Sequence, residues 1–310
     1  MKKLVISILC LFFILCGCKE NVTPSNVRVI AMKGPTAMGM VKMMDENDKG
    51  NITSNNYDFK IIAAIDEVTA KLMNGEADIA ALPANVASTL YNNSNGAIRV
   101  IGINTLSVLY IVEKGEAIND IKDLEGKTIY ASGKGATPEY ALKYVLEKNG
   151  ITAKIEFKSE QSECVGALLN DENGVALLPE PFVTTALMND EDLRVALDLN
   201  DYYEDVVTGV VVARSEFIEE NEAVIEDFLA HYEDSVKYVN EHIDAASALI
   251  EKYDIVKAAV AKKALPSCHI VLIKGIAMKE KLASYLSDLY NYNPKAVGGK
   301  LPLDDFYYGA

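Results

Sequence analysis

The chain has 310 residues, half of them hydrophobic, and 45 acidic against 30 basic side chains give it a formal charge of −15. Such acidity argues against nucleic acid or an anionic membrane surface as a partner, because both demand basic patches. Five cysteines and three histidines show neither the regular spacing of a disulfide framework nor that of a metal centre.

The first residues predict an export signal. Lys2 and Lys3 form a positive n-region, and Leu4 to Ile14 form an apolar run too short to span a bilayer. Leu15, Cys16, Gly17 and Cys18 then read as a lipobox. Cleavage before Cys18 removes residues 1–17, and acylation of Cys18 tethers the rest to the outer face of the cytoplasmic membrane. An ordinary signal peptide with incidental cysteines is the alternative. The mature chain keeps 28 basic against 45 acidic side chains and carries no stretch approaching the twenty apolar residues of a spanning helix. Its two remaining thiols, Cys164 and Cys268, are expected to be buried and unpaired.

Strand-like apolar runs follow at Val27 to Met32, Phe59 to Ala63, Asp78 to Leu82 and Arg99 to Ile103, with amphipathic stretches at Glu67 to Met73 and Asn85 to Tyr91 between them. That alternation predicts an α/β sheet wrapped by helices. A second series repeats it with strands at Thr128 to Ala131, Lys154 to Lys158 and Val175 to Leu178, and helices at Pro138 to Lys148 and around Glu163 to Leu169. Two matches about a hundred residues apart reinforce the repetition. Lys33-Gly34-Pro35-Thr36 answers Lys134-Gly135-Ala136-Thr137, and Leu82-Pro83-Ala84-Asn85 answers Leu178-Pro179-Glu180-Pro181. Generic turn chemistry is the alternative source of such short matches.

Two long apolar runs, Leu106 to Val112 and Val206 to Ala213, are too hydrophobic for solvent linkers and predict strands passing between two lobes. The expected division is residues 18–106 with 209–310 as lobe 1, and residues 107–208 as an inserted lobe 2. Beyond Arg214 the pattern turns helical, with Val224, Phe228, Leu229, Tyr232, Val236 and Val239 at three-and-four spacing and a last helix near Met278 to Tyr290.

Enzymatic constellations are missing. His231, His242 and His269 lack ligand spacing and read as surface residues, and no nucleophile elbow, P-loop or dinucleotide-binding glycine motif is present. The two Lys-Gly-x-Thr turns are the informative candidates. Glycine permits close backbone approach, Thr36 or Thr137 can cap a helix, and the first-turn amides with nearby lysines make a local positive field suited to an anionic ligand end. A structural reading, with Thr137 and Pro138 as an ordinary cap pair and both lysines solvated, stands beside it. Glu180 can accept from a ligand amine or ring nitrogen, or pair with Lys134; Asn85 can meet a ligand or cap its helix. Met32, Met38, Met40, Met43 and Met44 cluster at the first turn as core or as an adaptable apolar wall.

The lipobox, the Gly34-Pro35 turn, Leu82-Pro83-Ala84-Asn85, Asp123-Leu124-Glu125-Gly126-Lys127, Leu178-Pro179-Glu180-Pro181 and the ending Leu301-Pro302-Leu303-Asp304-Asp305-Phe306-Tyr307-Tyr308 occur in order along the chain. Together they resemble the solute-binding lipoproteins of the nitrate, sulfonate, taurine and thiamine-precursor ABC importers. The resemblance implies a two-lobed type II periplasmic-binding-protein fold, each lobe a mixed sheet flanked by helices. It further implies a monomer that holds a small organic ligand between its lobes and hands it to a permease driven by an ATPase, with neither cofactor nor metal. Carried over by position, the candidate contacts are Gly34, Pro35, Thr36, Ala37 and Met38; Pro83, Ala84 and Asn85; Asn104, Thr105 and Ser107; Lys134, Gly135, Ala136 and Thr137; and Glu180. An exported enzyme on the same fold, or a ligand-sensing lipoprotein, are the alternative functions.

Overall fold

The computed structural model describes residues 24–203 and 206–310, so Cys18 and the lipobox lie outside the described residues. Among the described residues, eleven strands form two mixed sheets. Their bounds are β1 (Asn26–Met32), β2 (Asn56–Ile62), β3 (Ile79–Pro83), β4 (Ile98–Thr105), β5 (Leu109–Lys114), β6 (Thr128–Ala131), β7 (Lys154–Phe157), β8 (Val175–Pro179), β9 (Leu193–Asp198), β10 (Gly209–Arg214) and β11 (Ile270–Ile273). The six-stranded sheet runs β11-β4-β10-β3-β1-β2, and the five-stranded sheet runs β7-β6-β8-β5-β9. In the first, β1 is parallel to β2 and β3 while β10 lies antiparallel between β3 and β4. In the second, β6 is parallel to β7 and β8 while β5 lies antiparallel between β8 and β9.

Both sheets are covered on two faces, which is why their central strands read as continuous apolar runs. Successive side chains point to opposite sides. In β10, Val210 and Val212 enter one core while Val211 and Ala213 enter another. In β8, Val175 and Leu177 face one core while Ala176 and Leu178 face a third. The first of these cores is continuous between the sheets, joining Ile30, Leu82 and Ile103 to Leu109, Ile129 and Leu177. Its cover includes the Gly275–Tyr292 helix, through Met278, Leu282, Tyr285, Leu286 and Leu289, and the Thr137–Lys148 helix, through Tyr140, Ala141, Leu142 and Val145. The outer face of the six-stranded sheet packs on the Glu222–Glu241 helix, whose Val224, Phe228, Leu229, Tyr232, Val236 and Val239 are all buried at the expected spacing. Met38, Met40, Met43 and Met44 belong to that same outer core, and Met32 is half-buried.

The element bounds depart from expectation in a few places. The run beginning at Leu106 becomes a strand only at Leu109, and the run beginning at Val206 only at Gly209, so residues 106–108 are the first connection between the sheets and residues 206–208 are the end of the second, which leads into β10. Strands β9 and β11 were not expected at all. Arg194 and Asp198 interrupt the apolar pattern of β9, and β11 is four residues long. Cys164 and Cys268 are free and buried, as their spacing suggested. Burial raises the Cys164 thiol to about 11. Among the described residues no helix is long and apolar enough to cross a membrane, and no group of three or more His, Cys, Asp or Glu is arranged to hold a metal ion.

Candidate ligand site at the junction of the sheets

Strand ends and helix starts bring the candidate residues together. The turn after β1 leads into the short Pro35–Met38 helix from Gly34, whose φ of 131° suits glycine. Pro83 closes β3 and opens the Ala84–Asn93 helix; Pro179 closes β8, and the cis Glu180–Pro181 bond leads into the Phe182–Asn189 helix. Polar side chains then link these turns. Asn104 Nδ2 donates to Thr36 O at 3.0 Å, Thr105 Oγ1 donates to Asn104 Oδ1 at 3.2 Å, and Thr137 Oγ1 donates to Asn85 Oδ1 at 3.3 Å while accepting from Tyr285 OH at 3.0 Å. Glu180 N donates to Val108 O at 3.0 Å, which sets the glutamate beside the first connection. Thr208 N donates to Thr105 O at 3.0 Å and Ala84 N donates to Thr208 O at 3.1 Å, so the second connection passes between the ends of β3 and β4.

Thr36, Ala84, Asn85, Asn104, Thr105, Ser107, Thr137 and Glu180 are all buried at this junction. Others of the expected set are not drawn into it. Lys134 and Gly135 are exposed, and Lys134 Nζ lies 5.8 Å from the centre of the Phe157 ring. Ala136 caps the Thr137–Lys148 helix without a side-chain bond. Ala37 and Met38 point into the outer core. Lys33, exposed beyond β1, meets Asp254 at 3.4 Å. The two lysines are therefore not brought together, because Lys33 turns to Asp254 and Lys134 to Phe157. Nor do the threonines cap: Thr36 Oγ1 donates to Met32 O at 2.7 Å, and Thr137 bridges to Asn85, which likewise engages a neighbouring turn in place of capping its helix.

The junction is acidic. Glu180 does not pair with Lys134; among the described residues its carboxylate accepts only from Thr184, N at 3.1 Å and Oγ1 at 3.0 Å. Burial raises its pKa above the ordinary glutamate range against those two bonds. Asp198 is raised too, chiefly by burial. Burial followed by the Asp198 and Glu180 charges pushes the Tyr110 hydroxyl up, and burial followed by the Glu180 charge does the same to the Cys268 thiol. Tyr110 OH donates to Ser267 O at 3.0 Å, which ties β5 to the segment before β11. His269, expected at the surface, is instead partly buried with φ of 42°, and its Nδ1 pairs with Ser107 O.

Sequence reasoning missed Tyr110, Asp198, Thr208 and His269. Thr208 alone carried a signal, as the one hydroxyl within Val206 to Val212. Tyr110 lies within the Leu106 to Val112 run, where only its place in a strand was read; Asp198 is joined to the junction by the pairing of β5 with β9, and His269 by the turn before β11.

Comparison with known proteins agrees with this architecture. No curated protein matches the chain. A Parabacteroides distasonis structure described as an ABC transporter is 25% identical, with a TM-score of 0.78, over 92% of this chain and 98% of its own. The periplasmic aliphatic sulphonate binding protein SsuA of Escherichia coli is 18% identical with a TM-score of 0.75, covering 92% of each chain. The alkanesulfonate-binding SsuA of Xanthomonas axonopodis pv. citri, bound to MOPS, is 13% identical with a TM-score of 0.67, over 90% of this chain and 95% of its own. The profile of the NMT1/THI5-like family matches residues 47–246. The chain thus has the periplasmic-binding-protein fold and belongs to the NMT1/THI5-like family.

Proposed function

We propose that the protein is the extracytoplasmic, lipid-anchored receptor of an ABC importer, capturing a small organic solute between two lobes without turning it over. Lobe 1 comprises residues 18–106 and 209–310, lobe 2 comprises residues 107–208, and Cys18 carries the anchor. The permease and its ATPase subunit are the partners. The observation that carries the ligand class is the Glu180 carboxylate, buried between the two sheets with no countercharge among the described residues. A buried carboxylate is costly unless paired and hydrogen-bonded, so a ligand that brings an amine or ring N–H to it gains a charge-assisted bond of about 1.5–3 kcal/mol. The absence of an assembled lysine pair weighs against a sulfonate or other anion as the part that is gripped.

Calorimetric titration tests this. The full chain is expected to bind 4-aminopyrimidine and to ignore propane-1-sulfonate, and Glu180→Gln is expected to weaken the first at least tenfold. Tight sulfonate binding that survives Glu180→Gln contradicts the ligand class. Retention of Cys18→Ala in the membrane fraction contradicts the anchor.

A further inference from the structure

We propose that Thr208, whose hydroxyl precedes β10 as that of the expected contact Ser107 precedes β5, is a further contact of the captured solute and a specificity-determining residue. This rests on the receptor reading above. Ser107 is 1% exposed, and its Oγ has no hydrogen-bond partner among the described residues; Thr208 Oγ1 is buried and likewise unpartnered. Their backbones, in contrast, are engaged: Thr208 through Thr105 O and Ala84 N, Ser107 through the His269 ring. A buried hydroxyl without a partner destabilises a fold, and valine has the shape of threonine without that cost. Thr208 nonetheless interrupts a run in which Val206, Val207, Val210, Val211 and Val212 are all buried valines.

Position gives these hydroxyls a common neighbourhood with the carboxylate. Ser107 precedes Val108, whose carbonyl accepts from Glu180 N, and Thr208 bonds Thr105 two residues before Ser107. Glu180 only accepts when ionised, whereas each hydroxyl also donates. Together they suit a neutral or cationic nitrogen base that presents an N–H beside an acceptor atom, and they leave an anionic group without a partner of opposite charge.

The test uses the full chain, exhaustively dialysed, with 4-aminopyrimidine as probe. Ser107→Ala, Thr208→Val and the double variant are measured by calorimetric titration and by thermal melting. The expected result is affinity for 4-aminopyrimidine reduced at least tenfold in Thr208→Val and further in the double variant, with melting of the probe-free protein unchanged or raised. A melting temperature lowered by several degrees without probe overturns the proposal, since the hydroxyls then serve the fold. Affinity equal to wild type overturns it as well, since the hydroxyls then meet only water. If wild type and Glu180→Gln bind equally while the double variant fails, the hydroxyls stand and the carboxylate reading falls. If wild type ignores the probe at millimolar concentration, the nitrogen-base class falls and this proposal with it.

Discussion

Glu180 concentrates the chemistry of the junction in one side chain. Its raised pKa, caused first by burial, means that the folded protein holds a proton that the unfolded chain has already released above about pH 4.5. The contribution to stability is therefore complete at acid pH and declines as pH rises through the folded-state pKa; Asp198, raised for the same reason, adds in the same direction. Glu180→Gln removes the first of these penalties. The variant is expected to melt higher than wild type by a margin that grows from about pH 4.5 to neutrality, and melting curves across that range check it. A margin that stays constant with pH contradicts the assignment. Asp78 shows the opposite case. Burial opposes its ionisation, yet its bonds to Arg28 and Arg214 hold the carboxyl below the ordinary aspartate range, so its stabilisation is kept at neutral pH and lost on acidification.

At the scale of elements, β10 shows how tightly the second connection is fitted. A methyl group built on Gly209 meets Asn104 Oδ1 at 2.5 Å and Thr36 Cγ2 at 2.6 Å, both held by the Asn104–Thr36 bond. Gly209→Ala is accordingly expected to destabilise the protein by about 1–3 kcal/mol in urea unfolding and to weaken solute capture, whereas a silent substitution contradicts the packing described. Most elements were legible because the chain signals them locally. The alternating burial of β1, β3, β8 and β10 leaves apolar runs, and the stripe of the Glu222–Glu241 helix is complete. The meeting of candidate residues at the junction was legible where a turn motif lies in it, as with Thr36, Asn85, Thr137 and Glu180. It was illegible where a residue arrives by pairing alone: Asp198 comes with β9 and His269 with the turn before β11, and side-chain direction, which sent Lys33 to Asp254 and Lys134 to Phe157, has no periodic signature.

Over the whole molecule, the strands β2-β1-β3-β10-β4 and β7-β6-β8-β5-β9 share one order and one set of directions, with β10 and β5 as the corresponding fourth strands. Each fourth strand follows directly on a connection. Tyrosines fasten the two halves from one side: Tyr285 OH bonds Thr137, Tyr203 OH donates to Asp288 at 3.2 Å, and Tyr140 OH accepts from Asn293 at 3.2 Å. Replacing Tyr140 and Tyr285 by Phe removes two of these ties without emptying the core. The double variant is expected to show a larger radius of gyration than wild type in solution scattering when no solute is added; superimposable curves contradict a fastening role.

The shared strand order also sets when each sheet can be finished. Everything in the five-stranded sheet comes from one uninterrupted stretch, Leu109 to Asp198, whereas β3 and β4 have no bonds to each other and meet only through β10, which begins at Gly209. In a chain made N-terminus first, β4 must wait with both edges unpaired, for β10 more than a hundred residues behind it and for β11 further on. The five-stranded sheet can therefore be complete before the six-stranded one, whose last two strands hold the keys to its closure.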